Sequence, residues 1–493
     1  MTFLKILSVS MLFIALISGL GFLALSLVRK ALHMNGGDRL LSFNDWPAAF
    51  TLGGLFHCLL AFALSALGVM SAAWHFFALF MVFLAANAII PAAASIQNTE
   101  RSPTPADKRP WINHLPAITF TIMAFFFTAN CLLTMTFPQF DIDMVAHILM
   151  RSKVLTDSTF MDAFFFHDPV FANVHANYPP LAAFLFNLMF NIGINDIGGY
   201  NLTNYVVVFL CAIALNAFFK EQGILALQRS LWTTIFLSTG EFIGSQFIMS
   251  STDILLSLAI LLSTIALIKC LQKNSAQDSL MFSFFTAAAL LIKTDGIMFA
   301  VLATGILGFR RPRALTKHLV LLAVIIGPWY LFRLTLPDPV TGPESVLRGF
   351  HVTNLIPTAS MALKTAAQVM ARHWYAMFLI VWPVLILARK NRRDIFLPLA
   401  ILIGGMMAAY GFSMWSYIGK IPSFQSTFLR LLVHTYPLAV LAVALAVAQL
   451  LHRPIAGDHA PNPCLDNGGA LINRSCLDSY FTRHCQADAH IIF

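Results

Sequence analysis

The residues best suited to chemistry in this chain are carboxylates and cations at the borders of long apolar segments. Asp141 and Asp143, in Phe140-Asp141-Ile142-Asp143, directly follow one such segment and open a stretch, 138–178, that holds five aspartates and two basic residues. A carboxylate at a membrane–water boundary loses part of its hydration, which raises its pKa towards that of a working base. A pair spaced Asp-x-Asp also suits a divalent cation. The plainer alternative is that either aspartate caps the short helix that Met144–Met150 predicts. His175 and Tyr178 stand at the far end of the same stretch, just before Pro179-Pro180-Leu181. The two prolines set an extended entry into the next helix, and the polar groups beside them are positioned to hold a substrate or simply to mark that helix start.

Downstream, Lys293 and Asp295 interrupt an apolar run, where each charge costs about 2.5–3.5 kcal/mol near a bilayer centre. They either form an ion pair beside Gly296, or Lys293 meets an anionic ligand such as a phosphate, with Asp295 beside it. Asp253, in Ser251-Thr252-Asp253-Ile254, is either a helix cap or a substrate contact. Arg348 and His351 lie in a proline-containing connection and suit either a phosphate or plain solvation. Arg430, at the start of the final apolar run, either snorkels or faces a cavity.

Elements that hold such residues must be membrane helices. Of the 493 residues, 58% are hydrophobic and 11% are charged, against about 45–50% and about 25% in soluble domains. The mean hydropathy of +0.76 agrees. The formal charge of +9 sits in short connections between apolar runs, a distribution that the positive-inside rule explains and that argues against nucleic-acid binding. Apolar runs cover 3–28, 50–70, 72–95, 115–137, 179–194, 201–219, 230–250, 252–271, 281–307, 314–335, 370–388, 395–414 and 429–451. The expected fold is all-α and polytopic, with about 11–13 transmembrane helices. A large first external loop would carry short amphipathic helices. The first run is too long for a signal-peptide core and reads as a retained span.

Basic connections at 29–49 and 96–114, and basic clusters at Arg310–Lys317 and Arg389–Arg393, mark the cytoplasmic side. Alternation then puts 138–178 outside. Between 195 and 280 simple alternation conflicts with the charges. The conflict is removed if two segments fail to cross simply, the short run 179–194 and run 281–307, which is interrupted at Lys293–Gly296 and lines a cavity, with Asp253 and Lys293 both on the outer side. Seven cysteines are scattered, four of them in apolar runs. The tail carries Cys464, Cys476 and Cys485 with His459, His484 and His490, in no recognised zinc spacing.

In order along the chain, these motifs resemble the GT-C superfamily of integral-membrane glycosyltransferases. The resemblance rests on the acidic opening Phe140–Asp143, Tyr178-Pro179-Pro180-Leu181, Thr252-Asp253, Lys293-Thr294-Asp295-Gly296, Pro328-Trp329-Tyr330, and the arrangement of Arg430, His434 and Pro437. It covers 115–451. Residues 1–114 then form extra N-terminal transmembrane helices, 115–451 a glycosyltransferase core and 452–493 a polar tail. Many members have Asp-Glu where this chain has Asp141-Ile142-Asp143.

The resemblance implies an inverting enzyme that moves a hexosyl group from a polyprenyl-phosphate donor to a lipid, glycan or protein hydroxyl. Asp141 would be the general base, with Asp143 beside it. Lys293 and Arg348 would bind the donor phosphate, and His175, Tyr178, Asp253 and Asp295 the substrates. The resemblance fixes no cofactor, and the carboxylates leave room for a divalent cation. The expected location is a bacterial inner membrane, on its outer side. A transporter or flippase of a lipid-linked or small anionic substrate is the rival expectation, since broken spans with buried charges serve transport too.

Overall fold

A computed structural model of the chain describes residues 2–31, 43–66, 149–157, 178–193, 197–238, 251–273, 275–336, single positions between 357 and 368, 393–413 and 421–451. Asp141, Asp143, His175, Arg348, His351 and the tail cysteines and histidines lie outside the described residues, as do the runs expected at 72–95, 115–137 and 370–388. The described residues are helical and contain no strand. Met1–Ala446 form one compact unit and Val447–Phe493 a second; of the latter, only its beginning, the end of the last helix, is described.

Six of the described helices are long and apolar enough to cross a membrane. They belong to α1 (Thr2–Ala31), α2 (Trp46–Ala66), α5 (Ile197–Glu221), α7 (Ser251–Lys273), α10 (Pro312–Arg333) and α12 (Ile421–Leu451). Shorter helices are α3 (Met150–Asp157), α4 (Leu181–Asn191), α6 (Ala226–Ser238), α8 (Ala276–Ile292), α9 (Gly296–Arg310) and α11 (Arg393–Ser413). The chain is an all-α, multi-pass membrane protein.

The first two helices run antiparallel at backbone contact. A Cβ added to Gly21 would lie 1.6 Å from the Ala49 carbonyl oxygen, and one on Gly53 would lie 1.8 Å from that of Ile17. Small residues at a membrane helix crossing permit this approach, and dispersion along the shared face then holds the pair. Arg29 and Asp45 close one end at 2.9 Å, and Trp46 Nε1 donates to Ser18 Oγ at 2.8 Å. Both helices pack on α4 and α5, and α2 also lies along α8, where Phe56 and Phe284 approach within 5.8 Å.

The centre of the unit is α7. Its sequence is apolar around its whole circumference, and such a helix is stable only when covered on all sides. It contacts α2, α5, α8, α9 and α11. The peripheral α10 differs, because Leu319, Val320, Val324 and Leu331 are exposed on it. A water-soluble protein would not leave such a row bare, whereas a lipid-facing helix has no reason to bury it.

The interruption expected inside 281–307 is present, but its geometry corrects the expectation. It does not break a single crossing. α8 and α9 form an antiparallel hairpin that turns at Lys293, Thr294 and Asp295. Gly296 makes the turn possible, because a Cβ there would sit 2.3 Å from the Ala289 carbonyl oxygen. His318 on α10 fixes the hairpin's other half by bonding both Ser283 Oγ (2.8 Å) and Thr304 Oγ1 (3.1 Å). With 17 and 15 residues, the two passes are about 26 and 23 Å long. Both are shorter than the roughly 30 Å hydrocarbon layer.

This hairpin also brings the basic ends of α7 and α10 to the same end of the bundle. α7, α8, α9 and α10 alternate in direction, so their charged ends sort cleanly. Glu221, Lys269, Arg311 and the Leu271 carbonyl meet at one end, through the Lys269–Glu221 pair and an Arg311 Nη2 to Leu271 bond of 3.0 Å. Arg310, Arg313 and Lys317 lie next to them in sequence. Asp253 and Lys293 meet at the other end, about 25 Å or more away along α7.

Candidate functional site

Three separate stretches bring their charged groups together at that second end. Asp253 lies in the first turn of α7, Lys293 and Asp295 in the α8–α9 turn, and His434 in α12. The Lys293 ammonium donates to Asp253 Oδ1 and lies 3.0 Å from Asp295 Oδ2. His434 Nε2 lies 2.9 Å from the same Asp253 oxygen, and its Nδ1 lies 2.9 Å from the Tyr410 hydroxyl of α11. An ionised carboxylate only accepts, so Nε2 carries a proton; in the neutral ring Nδ1 accepts from Tyr410. The order Tyr410–His434–Asp253–Lys293–Asp295 is therefore one continuous hydrogen-bonded chain.

Burial is graded along it. His434 is fully buried and Asp253 is 1% exposed, whereas the Asp295 side chain retains 24% of its surface. The chain thus opens at Asp295 and is sealed at Tyr410. Backbone geometry explains part of this. Lys293 is extended (φ −155°, ψ 150°), which releases it from α8. Ser257 Oγ, one turn after Asp253, donates to its own helix at the Asp253 carbonyl (2.7 Å) and lies 3.2 Å from the Val433 carbonyl. That contact fixes α12 beside α7 and presents His434 to Asp253.

Of the residues singled out in the sequence, Asp253, Lys293 and Asp295 are joined here. Asp253 spends its carboxylate on Lys293 and His434, beyond what a helix cap would require. The Lys293–Asp295 ion pair is formed, but the ammonium is shared with Asp253. Tyr178 belongs to a second group of contacts. Its carbonyl accepts from Arg151 Nη2 at 2.8 Å, and Asn187 Nδ2 of α4 donates to the Ser152 carbonyl at 3.0 Å. These bonds dock α3 onto α4, and His57 Nε2 of α2 lies 3.3 Å from the Phe184 carbonyl. Burial lowers the Arg151 guanidinium to about 9. Arg151 therefore anchors the α3 part of the acidic stretch to the Tyr-Pro-Pro-Leu segment that closes it.

His434 and Arg151 were visible only as members of motifs or as loop charges, and Tyr410 was not singled out. The available signal was cost: a histidine within an apolar span, or an arginine in an acidic connection, must find a partner.

Asp253, Asp295 and His434 also qualify as ligands for a cation, since their ligand atoms all lie within 4.8 Å of one another. Two carboxylate oxygens and an imidazole suit a hard or borderline divalent ion. Lys293 already supplies positive charge between the two carboxylates, so an ion there would displace or share with its ammonium. No family model, curated protein or solved structure matches this chain.

Proposed function

We propose that this chain is an inverting membrane glycosyltransferase, acting on a polyprenyl-phosphate-linked hexose at the side of the membrane opposite its basic clusters. One observation carries the reading. Asp253, Lys293, Asp295 and His434, drawn from three distant stretches, converge on one buried chain of hydrogen bonds at that end of the bundle. Charges in such surroundings are costly and are the default candidates for function. They are also residues on which the resemblance to the GT-C superfamily rests. The positive-inside rule puts the cluster on the outer side, which is where the acidic stretch 138–178 is expected.

In the proposed reaction, the acceptor hydroxyl gives its proton to Asp141 as its oxygen attacks the anomeric carbon. The bond from that carbon to the phosphate oxygen breaks, and the polyprenyl phosphate leaves with the electron pair. Charge builds on the sugar ring and on the departing phosphate. Asp295, the partly exposed member of the cluster, holds sugar hydroxyls, while Asp143, His175 and Tyr178 orient the acceptor.

Two carboxylates around one ammonium leave the cluster with one net negative charge when His434 is neutral. Lys293 alone is therefore a poor phosphate clamp. It needs a second cation, either Arg348 or a divalent ion on Asp253, Asp295 and His434. Such an ion would supply charge to the leaving group. The chain's own residues would fix the sugar and take the acceptor proton.

The test uses purified protein in nanodiscs with a labelled polyprenyl-phosphate hexose. Release of polyprenyl phosphate and transfer of label is the expected result, abolished by Asp141→Asn with folding intact. Substantial transfer by that variant would remove Asp141 from the role. Charged residues at a hairpin turn within apolar helices also suit a transporter. Uptake of an anionic solute into proteoliposomes without sugar transfer would favour that reading.

A further inference from the structure

The α9–α11 face carries a groove whose chemistry is independent of the buried cluster. Its volume is about 280 Å³ and its walls include Val301, Leu302, Gly305, Phe309, Leu397 and Ile401. Phe309 is 88% exposed and Val301 66%, so the groove faces outward, and in a membrane it meets lipid. α9 and α11 are antiparallel, since Gly405 meets Leu302 while Leu397 and Pro398 line the groove with Phe309 and Arg310. The start of α11 and the end of α9 therefore sit together at the basic end of the bundle.

That end is where charge gathers. Arg310 closes the groove. Arg313 and Lys317 are exposed on the following turn. An apolar slot running parallel to the bilayer normal and ending in a guanidinium matches one occupant: a phospholipid with its acyl chain in the slot and its phosphate at Arg310. Arg310 at the groove, with Arg313 and Lys317 exposed on the turn that follows, selects an anionic headgroup over a zwitterionic one. Each Lys or Arg near the surface adds about fivefold to such binding, and basic pockets between membrane helices on this side hold anionic headgroups by the same physics.

We infer that the α9–α11 groove binds one anionic phospholipid of the cytoplasmic leaflet, with Arg310 as its phosphate contact. The full chain would be titrated with phosphatidylglycerol or phosphatidylcholine in detergent and bound lipid counted by native mass spectrometry. One phosphatidylglycerol should be retained in preference to phosphatidylcholine. Arg310→Gln should weaken it roughly fivefold, and Arg313→Gln, the same charge loss outside the groove, should weaken it less. Gly305→Leu should displace it. A Cβ at Gly305 meets nothing within 4 Å, so this variant fills the groove without disturbing the helix and serves if Arg310→Gln fails to fold. Equal retention of the two lipids would overturn the inference. So would equal effects of the two arginine variants with none from Gly305→Leu, which would mean diffuse surface attraction. A chain dimer that covers the groove and excludes lipid would also overturn it.

Discussion

Lysine–carboxylate pairs stand at both ends of α7, and they do opposite things. Lys269 and Glu221 join the ends of α7 and α5 within 2.7 Å, with side chains 23% and 43% exposed. Lys293 and Asp253 join the α8–α9 turn to the start of α7, with side chains 8% and 2% exposed. Both involve α7, and both would count equally in a list of ion pairs. The first is solvated and replaceable. The second is buried, and its two charges meet each other together with Asp295 and His434. Burial without partners would be prohibitive, so the second pair binds the network into a unit that fails if any member is removed.

That contrast can be broken from either side. The largest effect is expected from Lys293→Met, which strands Asp253 and leaves Asp295 without its ion pair. Loss of about 3–5 kcal/mol is expected, visible as a large drop in the thermal midpoint of the nanodisc-embedded protein. His434→Phe removes a bond from Asp253 and leaves the Tyr410 hydroxyl without its acceptor, at about 1–3 kcal/mol. A midpoint unchanged in that variant would mean that α12 is not held through Asp253. Gly296→Ala pushes a methyl group into the Ala289 carbonyl, and overpacking of this type costs about 1–3 kcal/mol. It should also lower transfer, because Lys293 and Asp295 ride on the same turn. Lys269→Met should cost at most about 1 kcal/mol, with transfer unaltered. Chelation by EDTA sharpens the comparison in another way. Loss of transfer that Mg²⁺ or Mn²⁺ restores would assign the second cation to the carboxylates, and full activity in EDTA would leave that task to Arg348.

The membrane class of the fold was legible because apolar run length and charge placement are local properties. α1, α2, α5, α7, α10 and α12 each coincide with an expected run. The α8–α9 hairpin was misread as one interrupted crossing because 27 residues of apolar sequence resemble a single long span. The turn that divides them depends on one missing Cβ at Gly296 and its contact with Ala289, which hydropathy does not register. At the site, Asp253, Lys293 and Asp295 stood out because charge in an apolar setting is conspicuous. That Asp253 and Lys293 share one side was expected from their charges, whereas the direct bonds that join them to Asp295, His434 and Tyr410 depend on how α7, α8, α11 and α12 pack and were not legible. Tyr410 was hidden for a different reason: a tyrosine in an apolar helix costs little unless its partner is known. The acidic stretch remains a sequence argument, apart from the Arg151 bond that ties its α3 segment to its last residue, Tyr178.

The central claim is that the buried chain of charges performs chemistry and does not merely hold helices together. Asp253→Asn combined with Lys293→Met removes both charges while keeping an oxygen for His434. The thermal midpoint of the double variant should recover most of what Lys293→Met alone loses, because the buried carboxylate at 253 is gone and the charge that has lost its pair, Asp295, keeps 24% of its surface. Hexosyl transfer from the polyprenyl-phosphate donor should stay at background. A double variant that regains both its midpoint and its transfer would contradict the claim and reduce the cluster to a fastening between helices.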